Sequence, residues 1–331
     1  MSEAESKRLR VAVLCGGRSG EHEISLRSAE AILNALDKTK YEVERILISP
    51  EGRWSPRAIQ PDPSANPGID VVFPVLHGTF GEDGTVQGLL ELAGLPYVGP
   101  GVLASAAAMD KDVTKRLLKE QGLPIVEWVT LLRDNMNPEE ICDRFPFPVF
   151  VKPANLGSSV GITKVSHCPD LEAALQTAGR YDRKIIVERG IAGRELECSV
   201  LGNNEPVAAI PAEVIPSREF YDYDDKYLLD AAQLIVPAKL EPGQIEEIQR
   251  MAVEAFRALS CEGMARVDFL LEAETGKLYI NEVNTIPGFT SISMYPKMWE
   301  AAGIGFSELL DRLIELALER HRRGQLTQFA R

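Results

Sequence analysis

Two carboxylates near the end of the chain, Asp268 and Glu282, are placed to bind a cation if the segment between them folds as a hairpin. Residues 266–284 read as two strands around a loop, 274–276, in which Gly276 suits a left-handed position. This turn sets the two carboxylates directly opposite each other, where they repel unless a cation lies between them. Mg²⁺ in nucleotide sites takes such carboxylate oxygens together with phosphate oxygens. The spacing therefore predicts a magnesium and nucleotide site.

The same hairpin predicts the neighbours of these carboxylates. The three-residue loop pairs Ala273 with Lys277. Because side chains alternate faces along a strand, Arg266 and Asn284 then lie on the face that carries both carboxylates. An Arg and an Asn beside two acids complete a site, whereas the alternative is a solvated strand face.

A second candidate is Lys152 with the Gly/Ser loop 157–161, which lies between two predicted strands. Backbone N–H groups of such a loop point at phosphate oxygens, and the Lys adds a point charge. The loop lacks the G-K-[ST] ending of a Walker A sequence. The alternative is an ordinary hairpin loop.

Two Gly-rich turns follow strands in the first hundred residues. The turn 16–23 is not a dinucleotide fingerprint, and its Glu21 and Glu23 would oppose a phosphate at the start of the next helix. We interpret Glu21 as a partner for a cationic substrate group, with helix capping as the alternative. The turn 76–84 contains His77, a residue type that is usually structural when it stands alone.

The polar aromatic segment 220–227 is the fifth candidate. Exposed aromatic and charged residues in a long loop are typical of a lid that becomes ordered on a ligand. An irregular surface loop is the alternative.

Short apolar runs and helical patterns must position these residues. In the first hundred residues they alternate, which predicts an α/β unit with a parallel sheet. The predicted strands there are 11–15, 43–48 and 71–76, around a helix at 25–36. Farther along we predict a helix from about 104 to 121, two strands within 146–165, a helix from 171, a strand at 184–188, and helices at 242–259 and 306–322.

Composition excludes several classes of protein. The 331 residues carry a formal charge of -13, which would repel nucleic acid and anionic membranes. No apolar run approaches the roughly 18 residues of a membrane span, and we expect a cytoplasmic protein. The five cysteines are scattered, so we predict free thiols rather than disulfides or a zinc site.

Taken together these motifs resemble the D-alanine–D-alanine ligase family of the ATP-grasp superfamily, in the same order across nearly the whole chain. The matching residues are Gly16-Gly17-x-Ser19-x-Glu21-x-Glu23-x-Ser25, His77-Gly78-x-x-Gly81-Glu82-Asp83-Gly84, Met109-Asp110-Lys111, Lys152-Pro153, Gly157-Ser158-Ser159-x-Gly161, Tyr221-Asp222-Tyr223-x-x-Lys226-Tyr227, Arg266-x-Asp268 and Glu282-x-Asn284-Thr285-x-Pro287-Gly288-x-Thr290-Ser291.

The resemblance implies three α+β units. An N-terminal parallel-sheet domain, 1–105, is followed by the two halves of an ATP-grasp fold, 106–190 and 191–331, which hold ATP between them. It also implies ATP-dependent ligation of two D-alanine molecules through an acyl phosphate, for peptidoglycan precursor synthesis. Two Mg²⁺ ions, replaceable by Mn²⁺, and a homodimer through the N-terminal unit belong to the same expectation.

The resemblance further implies a role for each matching residue. On the nucleotide side the expected residues are Lys111, Lys152, Gly157 and Ser159 at the phosphates, Glu188 at the adenine, Glu195 at the ribose, and Asp268, Glu282 and Asn284 at the metals. On the alanine side they are Glu21 and His77 at the first D-alanine, Lys226 and Ser293 at the second, Arg266 and the Gly288 N–H at the oxyanion, and Glu21, Ser158 and Tyr227 as a hydrogen-bonded link.

Two other functions compete with this interpretation. Another ATP-grasp carboxylate–amine ligase would share the metal hairpin but gives no reason for Glu21, His77 or the Tyr-Asp-Tyr segment. A regulatory nucleotide-binding module would be marked by substitution of Arg266 or Asp268, and both residues are present.

Overall fold

Three β-sheets with helices packed on them make up the part of the chain that the computed structural model describes, residues 8–158, 160–216 and 233–328. Ser159, Lys226 and Tyr227 lie outside the described residues. The strands are β1 (Leu9–Gly16), β2 (Tyr41–Ile48), β3 (Trp54–Ser55), β4 (Val71–Pro74), β5 (Trp128–Leu132), β6 (Val149–Pro153), β7 (Thr163–Val165), β8 (Lys184–Arg189), β9 (Gly193–Gly202), β10 (Val207–Ala208), β11 (Ala212–Ile215), β12 (Gln233–Ile235), β13 (Gly263–Glu272) and β14 (Leu278–Asn284). The helices are α1 (His22–Ala35), α2 (Thr85–Leu92), α3 (Val102–Met109), α4 (Lys111–Glu120), α5 (Pro138–Arg144), α6 (Leu171–Gly179), α7 (Pro242–Ala258), α8 (Met294–Ala301) and α9 (Phe306–Gly324).

The N-terminal sheet has the strand order β3-β2-β1-β4, and β1 pairs in parallel with both β2 and β4. The prediction of a parallel α/β unit is therefore confirmed. β1 is buried from Val11 to its end, as expected for a central parallel strand covered on both faces. The carboxyl ends of β1 and β4 lead into the turns that carry Glu21 and His77, so the sheet brings these two residues to the same edge.

The second sheet, β5-β8-β6-β7, is antiparallel throughout and packs against α5 and α6. The prediction of free thiols was wrong here, because Cys142 on α5 and Cys168 before α6 form a disulfide. Their Cα atoms are 5.6 Å apart although 26 residues separate them in sequence. The other three cysteines are free and buried, as expected.

The third sheet runs β12-β11-β9-β13-β14, and β10 pairs with β9. β13 lies between β9 and β14, with antiparallel pairing on both sides. Apolar residues of β9, β13 and β14 pack on α7, whose inner face is lined by Ile248, Met251 and Phe256. The opposite face of β13 and β14 carries polar residues, of which Arg266, Glu282 and Asn284 line a cleft.

The hairpin β13–β14 pairs Asp268 with Glu282, as predicted, but by a different route. The predicted pairing of Ala273 with Lys277 was wrong, since Glu272 N–H donates to the carbonyl of Lys277 at 2.9 Å and the turn is one residue longer. A β-bulge after Asp268 restores the register. The extra turn residue and the extra bulge residue therefore cancel, and the alternation of faces is preserved at the site.

The single helix predicted from 104 to 121 is instead two helices, α3 and α4, that meet at Asp110. Asp110 adopts an extended conformation, and its side chain accepts hydrogen bonds from the N–H groups of Asp112 and Val113. Such a carboxylate cap stabilises a helix start. The break places Lys111 in the first turn of α4, where its N–H donates to the carbonyl of Ala154 beside the Gly/Ser loop.

The other predicted helices and strands are confirmed to within a few residues at each end. The sequence patterns missed α2, α5, α8, β3 and β5, all of which are short. No helix among the described residues has the length and apolar character that crossing a membrane requires.

Candidate active site

A cleft forms where the N-terminal turns, the Gly/Ser loop and the end of β14 meet. It collects most of the residues singled out from the sequence, although they come from distant parts of the chain. The predicted residues that line it are Glu21, His77, Lys111, Gly157, Ser158, Arg266, Glu282, Asn284, Gly288 and Ser293. Four others, Lys152, Glu188, Glu195 and Asp268, are not among the residues that line it.

Glu21 contacts the Gly/Ser loop rather than capping α1. Its side chain makes no capping hydrogen bond to the helix. Instead Ser158 Oγ donates to Glu21 Oε1 across 137 residues of sequence. A Cβ added at Gly78, where φ is +73°, would lie 2.7 Å from Glu21 Oε2, so this turn needs glycine for both its conformation and its space. The capping interpretation is therefore wrong, and the carboxylate lies in the cleft.

His77 is 5% exposed, and both of its ring nitrogens face protein atoms. Nδ1 lies 3.0 Å from the carbonyl of Ile286, and Nε2 lies 3.4 Å from Ser28 Oγ. Ser28 Oγ in turn accepts from the N–H of Phe289 at 3.2 Å. Burial lowers the pKa of His77, which favours a neutral ring. This geometry supports positioning of the loop 286–289 by His77.

Glu82 makes a similar link that sequence reasoning missed. Its Oε2 accepts from the N–H of Gly78 at 2.6 Å, and its Oε1 accepts from the N–H of Ile286 at 3.2 Å. Burial and the negative charge of Glu21 raise the pKa of Glu82 to about 8. The signal for it was its place in the Gly81-Glu82-Asp83-Gly84 run, to which no role was given.

The hairpin face is a dense network of charges. Arg266 donates through Nε and Nη2 to the two oxygens of Asp268, each at 2.7 Å, and Asn284 Nδ2 donates to Asp268 at 2.9 Å. The Arg266 Nε is also 3.1 Å from Glu197 on β9, a residue that the sequence analysis missed. Burial opposes the charge of Arg266, but Asp268 and Glu197 outweigh it and raise the pKa of the guanidinium further above its usual range.

Three carboxylates thus follow one another across neighbouring strands, because Asp268 pairs with Glu197 on one side and with Glu282 on the other. Carboxylate and amide oxygens are the ligands that Mg²⁺ prefers, with phosphate oxygens completing its shell. Among the residues that the structure describes, however, no group of three or more His, Cys, Asp or Glu side chains surrounds a common point. The donor set fits a metal that a bound phosphate shares.

Two features of the cleft wall limit where substrate atoms fit. Lys111 Nζ donates to the carbonyl of Leu156 at 2.6 Å, which holds this lysine against the Gly/Ser loop. On the opposite wall Ser293 Oγ accepts from the N–H of Thr290 at 2.9 Å. A Cβ at Gly288 would lie 2.7 Å from that Oγ, so the loop closes tightly around its glycine.

Lys152 and Glu188 form a buried ion group together with Lys115, which sequence reasoning did not find. Lys152 Nζ lies 2.7 Å from Glu188 Oε2, and Lys115 Nζ lies 3.0 Å from Glu188 Oε1. Burial alone would raise the pKa of Glu188, but the two lysines lower it to about 2. Burial works against the charge of Lys152, but Glu188, Glu282 and Glu195 together raise its pKa. Lys152 therefore lies in the electric field of both the ion group and the hairpin.

Comparison with known proteins places this architecture in one family. The family model described as D-ala D-ala ligase C-terminus matches residues 117–315, and the model described as D-ala D-ala ligase N-terminus matches 10–66 and 56–100. The chain is 65% identical to the D-alanine–D-alanine ligase of Solibacter usitatus, over 98% of this chain and 100% of that protein. It is 46% identical to D-alanine–D-alanine ligase A of Escherichia coli K12, over 95% of this chain and 97% of that protein.

Solved structures agree with the sequence comparisons. The D-alanine–D-alanine ligase from Coxiella burnetii superposes with a TM-score of 0.87 at 40% identity, covering 97% of each chain. VanG D-Ala:D-Ser ligase from Enterococcus faecalis gives a TM-score of 0.86 at 37% identity, covering 94% of this chain and 100% of that one. The chain belongs to the D-alanine–D-alanine ligase family and has its ATP-grasp fold.

Proposed function

We propose that this chain joins two D-alanine molecules to D-alanyl-D-alanine at the expense of ATP, for peptidoglycan precursor synthesis. The observation that carries the proposal is the shared cleft of Glu21, Arg266 and Gly288 with Lys111 of the phosphate side. An acid for an ammonium group, donors for an oxyanion and a cation for phosphate are what this reaction requires. High identity to relatives that carry this name supports it.

The three units proposed for the chain are 1–105, 106–190 and 191–331, with ATP between the last two. A carboxylate is a poor electrophile, so the first step transfers the γ-phosphoryl group of ATP to the carboxylate of one D-alanine. Lys111 and Lys152 would bind the phosphates, under the loop that contains Gly157 and Ser159. Glu188 would accept from the adenine amine, and the carboxylate of Glu195 would bind the ribose hydroxyls.

Asp268, Glu282 and Asn284 would hold the two Mg²⁺ ions, or Mn²⁺ in their place. When bound, these ions neutralise charge on the β- and γ-phosphates and orient them for transfer. Arg266 holds Asp268 by two hydrogen bonds, and so fixes the orientation of this carboxylate.

The second step is attack by the amine of the second D-alanine on the acyl phosphate. Arg266 uses Nε and Nη2 on Asp268, and we assign its third nitrogen, Nη1, together with the Gly288 N–H, to the oxyanion. Glu21 would bind the ammonium of the first D-alanine near His77. Ser293 and Lys226 would bind the carboxylate of the second.

Water must be excluded while the acyl phosphate exists, because acyl phosphates hydrolyse. The hydrogen bond from Ser158 to Glu21 ties the phosphate loop to the N-terminal unit, and Tyr227 would extend this link to the lid. A homodimer through the N-terminal unit and a cytoplasmic location remain proposals that rest on resemblance. Both substrates are small molecules, and we propose no nucleic-acid or membrane partner.

An assay of ADP release with and without D-alanine tests the proposal. We expect release to depend on D-alanine and to be matched by dipeptide in the mass spectrum. ADP release driven by a different carboxylate and amine would favour another carboxylate–amine ligase, and nucleotide binding with no turnover would favour a regulatory module.

A further inference from the structure

The buried ion group contains one lysine more than its carboxylate needs. Lys115 from α4 and Lys152 from β6 approach different oxygens of Glu188, at 3.0 and 2.7 Å. Two ammonium groups on one carboxylate give the group a net positive charge, although burial and the neighbouring charge of Lys152 lower the pKa of Lys115. If either lysine were absent, the remaining pair would be neutral and would attract a polyphosphate far less.

The two lysines differ in what they reach. Lys115 is 1% exposed and lies behind Trp128, with its Nζ 5.9 Å from the centre of the ring. Trp128 pairs with Glu188 across β5 and β8 and is fixed by a hydrogen bond from its Nε1 to Asp112 at 3.0 Å. Lys115 is therefore closed off from solvent, whereas Lys111, one helical turn earlier, lines the cleft.

Lys152 is placed differently, on the other oxygen of the same carboxylate. Its side chain keeps 12% exposure, and the charges of Glu282 and Glu195 reach it from the third sheet. A phosphate bound near the metal hairpin would compete with Glu188 for this lysine. A buried carboxylate stripped of its only counterion is costly, so Lys152 is free to leave only if another cation stays.

We propose that Lys115 is a positioning residue for nucleotide binding, because it keeps Glu188 paired and ionised while Lys152 turns to the phosphates of a nucleoside triphosphate. The inference rests on the proposed function for the nucleotide's identity. The ion pair with Lys115 persists when Lys152 moves. Glu188 therefore stays ionised and can accept a hydrogen bond from an amine on the base. No sequence pattern assigned a role to Lys115.

Lys115→Met tests this inference, with Lys119→Met as its matched control. Lys119 is on the same helix and stacks on the same Trp128 ring at 5.7 Å, but it is exposed. In Lys115→Met, Lys152 must stay on Glu188, and one charge-assisted contact to phosphate is lost. We expect the Kd for ADP and the KM for ATP to rise about 10- to 100-fold, with a smaller fall in kcat and little change in Lys119→Met.

The double variant Lys115→Met, Glu188→Gln separates this role from simple packing. A neutral glutamine no longer holds Lys152, so we expect the double variant to bind inorganic tripolyphosphate, which has no base for Glu188 to contact, more tightly than Lys115→Met alone. An ADP affinity in Lys115→Met equal to that of wild type would overturn the inference. Weaker tripolyphosphate binding by the double variant than by the single one would also overturn it, because Glu188 would then not be what withholds Lys152 from phosphate.

Two further measurements keep the outcome decisive. If Lys115→Met does not fold, acetylation of wild-type lysines followed by mass spectrometry decides instead. We expect ADP to protect Lys152 and Lys115 to remain unlabelled throughout, whereas a Lys115 that is labelled and then protected by ADP would itself contact nucleotide. ADP affinity is measured without D-alanine, so a wild type that binds ADP but makes no dipeptide would refute the proposed function and leave this test standing.

Discussion

The proposed alanine side and the proposed nucleotide side of the site are assembled in different ways. On the alanine side the hydrogen bonds join residues very far apart in sequence, from Ser158 to Glu21 over 137 residues and from His77 to Ile286 over 209. On the nucleotide side, Lys152 and Glu188 are 36 residues apart in one sheet. The alanine side therefore exists only when the three sheets are docked, whereas the ion group belongs to the second sheet and α4.

This difference predicts separable effects on kinetics. Changes in the ion group should act on nucleotide affinity, and changes in the docked cleft should act on the alanine steps. The hairpin β13–β14 lies between the two regions, because Glu282 lines the cleft and its charge also reaches Lys152. Substitutions there should affect both sides and have the largest consequences.

The largest expected effect is that of Asp268→Asn. The change removes a charge proposed to face Mg²⁺ and weakens the double hydrogen bond to Arg266. We expect turnover to fall by more than about 10³-fold, while the fold is kept. Activity is measured over a Mg²⁺ titration with circular dichroism as the control, and Glu282→Gln should behave alike. Near-wild-type activity of either variant at low Mg²⁺ would exclude the metal assignment.

Arg266→Met should act on chemistry more than on nucleotide binding. Loss of one oxyanion donor lowers kcat by about 10²- to 10³-fold. The KM for ATP should change little, in contrast to Lys115→Met. Steady-state kinetics with ATP and D-alanine varied separately measure this. A defect confined to the KM for ATP would instead assign Arg266 to nucleotide binding, and would contradict its proposed role at the oxyanion.

Ser158→Ala should produce a smaller loss on the alanine side. It deletes the hydroxyl that donates to Glu21, and a hydrogen bond to a charged group is worth enough to lower kcat/KM for D-alanine by about tenfold or more. Ser49→Ala is the matched control, since Ser49 Oγ donates to the exposed Glu51 at 2.7 Å and neither residue lines the cleft. An equal effect of both variants would show that the hydrogen bond from Ser158 to Glu21 makes no specific contribution to the reaction.

Tyr227→Phe has the smallest expected effect, and it rests on sequence alone because Tyr227 lies outside the described residues. The family resemblance implies that the phenol oxygen of Tyr227 helps to orient the amine of the second D-alanine, which an ester-forming reaction does not need. Deleting one neutral hydrogen bond should raise the ratio of D-lactate to D-alanine incorporation by about two- to tenfold, mainly below pH 7. Product ratios from pH 6 to 9 measure it. Substantial ester formation by the wild type would show that Tyr227 does not set acceptor choice.

Local periodicity predicted the parts of the site that depend on one element. The alternation of side chains along β13 and β14 was enough to place Asp268 opposite Glu282, and the carboxyl ends of parallel strands explain the placement of Glu21 and His77. The predicted turn length was wrong, and Asp268 still pairs with Glu282 only because a bulge follows Asp268. Bulges depend on tertiary context that a hairpin rule does not contain.

The residues that were missed have partners on other elements. Glu197 acts through Arg266 on the adjacent strand, and Lys115 acts through Glu188 on a strand much later in the chain. Periodicity within α4 predicts only that Lys115 is on a given face of the helix. Likewise, Cys142 and Cys168 meet only because α5 packs beside the turn before α6. Such pairings follow from the docking of sheets and helices.

Transfer of ¹⁸O from D-alanine to phosphate tests the central claim most directly. If the γ-phosphoryl group is transferred to the carboxylate and then displaced by an amine, D-alanine labelled in its carboxyl oxygens must give inorganic phosphate with one ¹⁸O per turnover. We predict this label in phosphate, together with equal amounts of ADP and dipeptide. Dipeptide formed with unlabelled phosphate would contradict the acyl phosphate, and labelled phosphate without dipeptide would contradict the ligation.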